Sequence, residues 1–289
     1  MDLSSRIEQA MIGAVGIFEM PAGPPRLSEA IGYALFPGGA RIRPRLCLTV
    51  ALASGDDDPA AADAAAAALE MVHCASLVHD DLPCFDDAAT RRNRPSLHKA
   101  FGEREAVLVG DALIAMAFDV VARGSARHPG RTVALVRCLA DSLVPPGGII
   151  AGQAWECESM AEISTYQRAK TGGLFVAAAM AGAIAAGADP LAWRGLGERL
   201  GEAYQVADDI RDVAAREEEI GKPVGRDAAL GRLNAVRSFG MAAAIARFEG
   251  LVDQAQAAIP PCGARRHLQQ LIRAEALRLV PEEYLERAA

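Results

Sequence analysis

From Asp58 and Pro59 to Leu82 and Pro83 the chain carries one long apolar stretch, rich in alanine and free of glycine and internal proline. Asp58 reads as an N-cap with proline at the first helical position, and Pro83 as the stop, so the stretch predicts a helix from Pro59 to about Leu82. Its apolar residues fall on most faces instead of one stripe, as in a helix covered on all sides. A helix of that kind needs other elements around it, which favours a bundle.

The rest of the chain supports helices throughout. Hydrophobic residues make up 51% and aromatic residues only 5%, with alanine and leucine abundant and runs of β-branched residues short. Helical periodicity predicts further helices over 4–18, 26–35, 40–54, 104–124, 130–142, 148–159, 163–187, 190–214, 237–258 and 264–279. Proline and glycine clusters punctuate them, none long enough to be a domain linker, so the 289 residues read as a single all-α domain.

Composition also sets limits on function. A formal charge of -7 and a pI near 5.4 provide no general attraction to nucleic acid or to an anionic membrane, so an anionic ligand needs a local basic cluster. The longest apolar run noted, Gly172 to Ala188, falls short of the ~18 residues of a spanning helix, and no transmembrane segment is expected. The N-terminus lacks a basic region followed by a continuous apolar core, unlike a signal peptide. Cys47, Cys74, Cys84, Cys138, Cys157 and Cys262 form no CxxC pair and read as reduced thiols of a cytoplasmic protein.

Two acidic segments carry the chemistry. In DDLPCFDD, Asp80 and Asp81 end the apolar helix while Asp86 and Asp87 follow Pro83 in the next turn. In DDIRD, Asp208 and Asp212 stand one helical turn apart on one face, with Asp209 beside them. Like charges so close repel unless a cation relieves them, and Mg²⁺ suits carboxylate oxygens shared with substrate phosphates. Arg91, Arg92 and Arg94 follow the first segment, Lys222 and Arg226 the second, and Arg41, Arg43 and Arg45 stand in and after GGARIRP. Carboxylates combined with guanidinium forks suit two diphosphates. By contrast, Asp56, Asp57 and Asp58 precede a proline-started helix, where capping and solvation explain them.

In order and approximate spacing, GGARIRP, HDDLPCFDD with Arg91-Arg92 after it, Lys170-Thr171, and YQVADDIRD followed by GKPVGRD resemble the trans-isoprenyl diphosphate synthase (polyprenyl synthetase) family over nearly the whole chain. Within it, the chain is most similar to bacterial geranylgeranyl diphosphate synthases of carotenoid pathways. The resemblance implies a single-domain orthogonal helical bundle of the isoprenoid synthase type with a central cavity, and a homodimer. It makes Asp80, Asp81, Asp86, Asp208 and Asp212 ligands of Mg²⁺. Arg91, Lys170, Thr171, Gln205, Lys222 and Arg232 would serve the allylic diphosphate, and Arg43, His73 and Arg92 isopentenyl diphosphate. Asp80, Asp81, Asp86, Lys170, Asp208 and Lys222 would be the catalytic set. Taken alone, His73 reads as a core histidine and Lys170 as a solvated one; Gln153 stands between structure and function.

The implied reaction is an electrophilic prenyl transfer that needs no protein nucleophile. The allylic C–O bond ionises, the isopentenyl double bond attacks the cation, and a proton leaves. Product length would follow the side chains along the helix ending at Asp80, since one turn rises about 5.4 Å, close to one isoprene unit. Ala75, where short-chain bacterial enzymes of the family carry an aromatic, and Ser76 leave room for a C20 product, with Met71 and Val72 as the floor. Geranylgeranyl diphosphate is therefore the expected product, with a farnesyl or longer-chain synthase as the alternative. A terpene cyclase would lack the second intact acidic motif and the basic isopentenyl site. A non-catalytic synthase subunit would have lost acidic residues that this chain keeps.

Three departures stand out. Ala40 occupies the place of the family's usual lysine, leaving Arg41 or Arg45 to compensate. Asn93 replaces a glycine after the arginine pair, and Arg232 a common lysine.

Overall fold

The computed structural model describes residues 2–16, 23–36, 39–158, 168–214 and 234–280. Among them the structure is all-α except for one two-residue antiparallel ladder. The chain divides into two compact units, Met1–Leu139 with Ala181–Ala188 and Ala140–Met180 with Asp189–Ala289.

The first unit holds α1 (Leu3–Gly16), α2 (Pro25–Leu35), α3 (Ile42–Ala53) and α4 (Pro59–Asp80), then the ladder of β1 (Thr90–Arg91) and β2 (Arg94–Pro95). It continues through α5 (Leu97–Phe101), α6 (Glu103–Gly124) and most of α7 (Pro129–Leu143). The long apolar helix is its centre: α1, α2, α3 and α6 all pack on α4. Asp58 caps it as the sequence indicated, accepting from the Ala61 N–H at 3.4 Å. The closest approach is to α6, where a Cβ on Gly124 would stand 2.3 Å from the Ala64 methyl and one on Gly110 would strike the His79 ring.

Among the described helices, only α4 is long and apolar enough to cross a bilayer, rather than the Gly172–Ala188 run; 78% of its apolar window is buried in the protein. Core packing accounts for that apolarity.

The second unit holds α8 (Ile149–Ala154), a 3₁₀ turn (Trp155–Cys157), a π-helical turn (Arg168–Gly172) leading into α9 (Gly173–Ala185, of which the residues from Ala181 count with the first unit), and α10 (Leu191–Ala214). It continues with α11 (Ala235–Phe239), α12 (Met241–Ala257) and α13 (Arg265–Leu279). Here α10 is the hub, packed by the π-turn, α11, α12 and α13. Trp193, Leu196, Ala203, Val206, Ala207 and Ile210 are all buried along it.

Periodicity located most of these helices but missed local breaks. The stretch expected over 237–258 is interrupted at Gly240, whose φ of 86° lies outside helical space. Of the helix expected over 163–187, residues 163–167 lie outside the described residues, and Arg168–Gly172 form a π-turn instead of α-helix. The ladder and α5 were not anticipated, since two-residue strands carry no periodic signal.

Candidate active-site clusters

In the first unit α4 ends at Asp80 and the chain folds back on it. The Asp86 N–H donates to the Asp80 carbonyl at 2.9 Å and the Ala88 N–H to the Asp81 carbonyl at 3.2 Å. That turn brings the two ends of DDLPCFDD together. Asp80 is half-buried, whereas Asp81 is 2% exposed. Arg91 donates to both Asp81 oxygens, its Nε standing 3.1 and 3.2 Å away. Burial raises the Asp81 pKa, opposed by the Arg91 hydrogen bond and charge. Two residues assigned to separate ligands thus hold each other. Asp87 pairs with Lys99 at 3.1 Å, and the buried His98 ring stands 3.5 Å from the same oxygen.

The arginines stand on the ladder. Thr90 pairs with Pro95 and Arg91 with Arg94, leaving Arg92 and Asn93 as the turn, with φ of 54° and 59°. Left-handed backbone at both central residues suits a two-residue hairpin, and asparagine tolerates it where the family has glycine. Arg94 donates to the Phe36 carbonyl at 2.9 Å and covers the Tyr33 ring at 3.7 Å, a role in packing. Arg92 lies against Gly39, where an added Cβ would meet its Nη2 at 3.0 Å.

His73 is half-buried on α4. Burial first, then the charges of Arg43, Arg92, Arg91 and Arg41, hold its pKa well below the ordinary value. The shift keeps the ring neutral near pH 7. Arg41 does not compensate for Ala40: it is 6% exposed and is bound to Glu70 at 2.9 Å, Glu8 at 2.9 Å and the Leu35 carbonyl at 2.9 Å. Arg45 donates to the Ser4 hydroxyl at 3.0 Å. Both cations are engaged in holding α1 and α3.

Of the residues assigned to chain length, Met71, Val72 and Ala75 are 0%, 1% and 1% exposed, and Ser76 donates to the His73 carbonyl at 2.8 Å. A cavity of about 50 Å³ in this unit is instead walled on α4 by Cys74, Leu77, Val78 and Asp81. Those residues occupy a different face of the helix from Val72 and Ser76.

In the second unit the π-turn places Lys170 and Thr171. A Cβ on Gly152 would lie 2.4 Å from the Lys170 Cα, so the GQ pair of α8 begins with a glycine that lets the π-turn approach. Lys170 is ion-paired with Glu156, which also accepts from the Gln153 amide at 3.1 Å. Thr171 donates to Gln205 at 2.6 Å, and Gln205 donates to Asp209 at 3.0 Å. Asp209, 1% exposed, accepts the Ala235 N–H at 2.8 Å, and Asn234 donates to its carbonyl at 3.2 Å. It thereby ties α10 to the start of α11, which explains the second aspartate of DDIRD without a metal. Asp208 and Asp212 are half-buried, with Arg211 3.8 Å from Asp208. Lys222 and Arg232 lie outside the described residues.

Sequence reading passed over Glu70 and Glu156. The available signal was a lone glutamate inside an apolar helix, three residues before His73, and a carboxylate three residues after Gln153.

No group of three His, Cys, Asp or Glu side chains among the described residues forms a ready-made metal cage. That suits Mg²⁺, which commonly takes one or two carboxylates and completes its shell with water and substrate phosphate.

Residues 24–258 match the polyprenyl synthetase family model. The chain belongs to this family. It is 50% identical over 287 residues to a geranylgeranyl diphosphate synthase of Cereibacter sphaeroides, covering 99% of this chain and 100% of that one. It is 47% identical over 280 residues to a geranylgeranyl diphosphate synthase of Rhodobacter capsulatus, covering 97% of each. A solved geranyltransferase of Helicobacter pylori, complexed with magnesium and isoprenyl diphosphate, superposes with a TM-score of 0.76 at 27% identity, covering 98% of this chain and 97% of that one.

Proposed function

We propose that this protein is a magnesium-dependent isoprenyl diphosphate synthase that joins isopentenyl diphosphate to an allylic diphosphate, with geranylgeranyl diphosphate as its main product. The observation that carries the reading is that the hairpin sets Arg92 against Gly39 of the GGARIRP segment, close in the chain to the acidic motif whose Asp81 holds Arg91. A cyclase needs to hold one diphosphate; a separate basic cluster beside the acidic motif is what a second diphosphate substrate requires. The names of the relatives at 50% and 47% identity support the C20 product, as does the small side chain at Ala75.

Asp80, Asp86, Asp208 and Asp212 would hold Mg²⁺, and the magnesium in the Helicobacter pylori protein supports this. When bound, the metal neutralises the allylic diphosphate and makes it a better leaving group. Asp81, almost fully buried and held by Arg91, is assigned to orienting that arginine. Lys170, Thr171 and Gln205 position the allylic diphosphate and the reacting carbon, while Arg43, His73 and Arg92 hold isopentenyl diphosphate. Lys222 and Arg232 keep their allylic role on family resemblance alone. Catalysis is then positioning and electrostatics, with no covalent protein intermediate.

The family match runs through both units, which supports one functional domain over 1–289. A second copy of the chain would cover Val107 and Leu108 on α6, exposed at 43% and 54%, making a homodimer. The free thiols of all six cysteines suit a reducing, cytoplasmic setting.

The test is a product assay with isopentenyl diphosphate and each allylic primer, with and without EDTA. Metal-dependent C20 product is expected. Cyclised hydrocarbon, or no elongation from any primer, would overturn the reading.

A further inference from the structure

Glu70 is 1% exposed on α4, yet the proposed reaction does not use it. Its Oε1 accepts from Arg41 Nη1 at 2.9 Å and stands 3.8 Å from Arg92 Nη2. One carboxylate oxygen therefore faces two guanidinium groups with different tasks. Arg41 is structural, pinned also by Glu8 and the Leu35 carbonyl. Arg92 belongs to the hairpin turn, is held at φ 54°, and lies against Gly39. Its guanidinium is thus bounded by Gly39 on one side and by the Glu70 charge on another. Without a negative charge at this depth, Arg41 and Arg92 would repel one another, and Arg92, the more exposed of the two at 26% against 5%, would be the group free to swing away.

We propose that Glu70 is a positioning residue for the isopentenyl diphosphate pocket: shared between Arg41 and Arg92, it fixes the Arg92 guanidinium for the incoming diphosphate. The proposal rests on the reading that Arg92 contacts isopentenyl diphosphate. It has particular weight in this chain because Ala40 supplies no lysine, leaving fewer cations to hold that substrate. A preorganised guanidinium loses less entropy on binding than one that must be recruited from solvent.

Steady-state kinetics with each substrate varied separately test this. Glu70→Gln should raise KM for isopentenyl diphosphate about tenfold while leaving the allylic KM and kcat within about twofold, the pattern of lost binding rather than lost chemistry. In an Arg92→Ala background the same change should add nothing. Glu8→Gln, which loosens Arg41 without touching Arg92, should lower the melting temperature and leave both KM values unchanged. If Glu70→Gln does not fold, Glu70→Asp keeps the charge but withdraws it from Arg92, and should give the same selective rise. An unchanged isopentenyl KM in a folded Glu70 variant, equal rises for both substrates, or additivity with Arg92→Ala would overturn the proposal. An unchanged isopentenyl KM in Arg92→Ala itself would instead overturn the placement of the pocket.

Discussion

The two acidic motifs each contain an Asp-Asp pair, and the two units use it in parallel but not identical ways. In both, the first member, Asp80 or Asp208, is half-buried, while the second, Asp81 or Asp209, is almost fully buried. The partners of the second member differ. Asp81 faces a guanidinium, a side-chain charge. Asp209 faces a backbone N–H and an amide that are fixed by the fold. Adjacent carboxylates on a helix point about 100° apart, so one can be offered to a ligand while the other is committed to the protein.

The largest effects should separate first from second members. Asp80→Asn and Asp208→Asn should each lower kcat by about three orders of magnitude, a typical scale for losing a preorganised charge contact, with circular dichroism unchanged. Asp209→Asn should instead cost about 2 kcal/mol of stability, seen as a lower urea midpoint, because a buried charged acceptor is lost. Unchanged stability with lost metal dependence would show that Asp209 is a ligand and break the comparison. Asp81→Asn should cost less stability, about 1 kcal/mol, by leaving Arg91 short of its counter-charge, a value discounted for that arginine's partial exposure. Its allylic KM should rise as well.

Smaller changes sharpen the picture of the first unit. Ala75→Tyr should shorten the product to C15, read by chromatography of the dephosphorylated prenyl alcohols, at a packing cost of about 1–3 kcal/mol. An unaltered chain length would place the growing chain elsewhere. Because the His73 pKa is depressed in the folded state, unfolded chains bind its proton first as pH falls. Its stabilising contribution is present above the unfolded value of about 6.5 and is lost progressively below it. His73→Asn should flatten the decline in stability between about pH 6.5 and 5. The smallest effect expected is for Ala40→Lys at an exposed position, about a threefold fall in the isopentenyl KM.

Much of the architecture was legible because apolar periodicity and proline caps act locally. The start of α4 at Asp58-Pro59, and most other helices, follow from residues within a turn or two of each end. Breaks at Gly240 and at the π-turn were not, since glycine also occurs within helices and a π-turn reflects packing on Gly152. Residue types in the candidate clusters were legible too, and Thr171 and Gln205 do meet. Their partners were not, because Glu70 with Arg92 and Glu156 with Lys170 are brought together by the packing of separate segments.

The sequence alone determined that this chain is helical and that two carboxylate motifs accompany nearby cations, and the family resemblance it carries showed the usual lysine replaced by Ala40. These are properties of residue type, order and spacing. Only the tertiary structure decided which carboxylate of each pair is available, that Arg41 cannot replace the lysine, and that Glu70 stands between two arginines. Burial and partner choice depend on which helices pack together, and a buried charge is committed to whichever opposite group that packing provides.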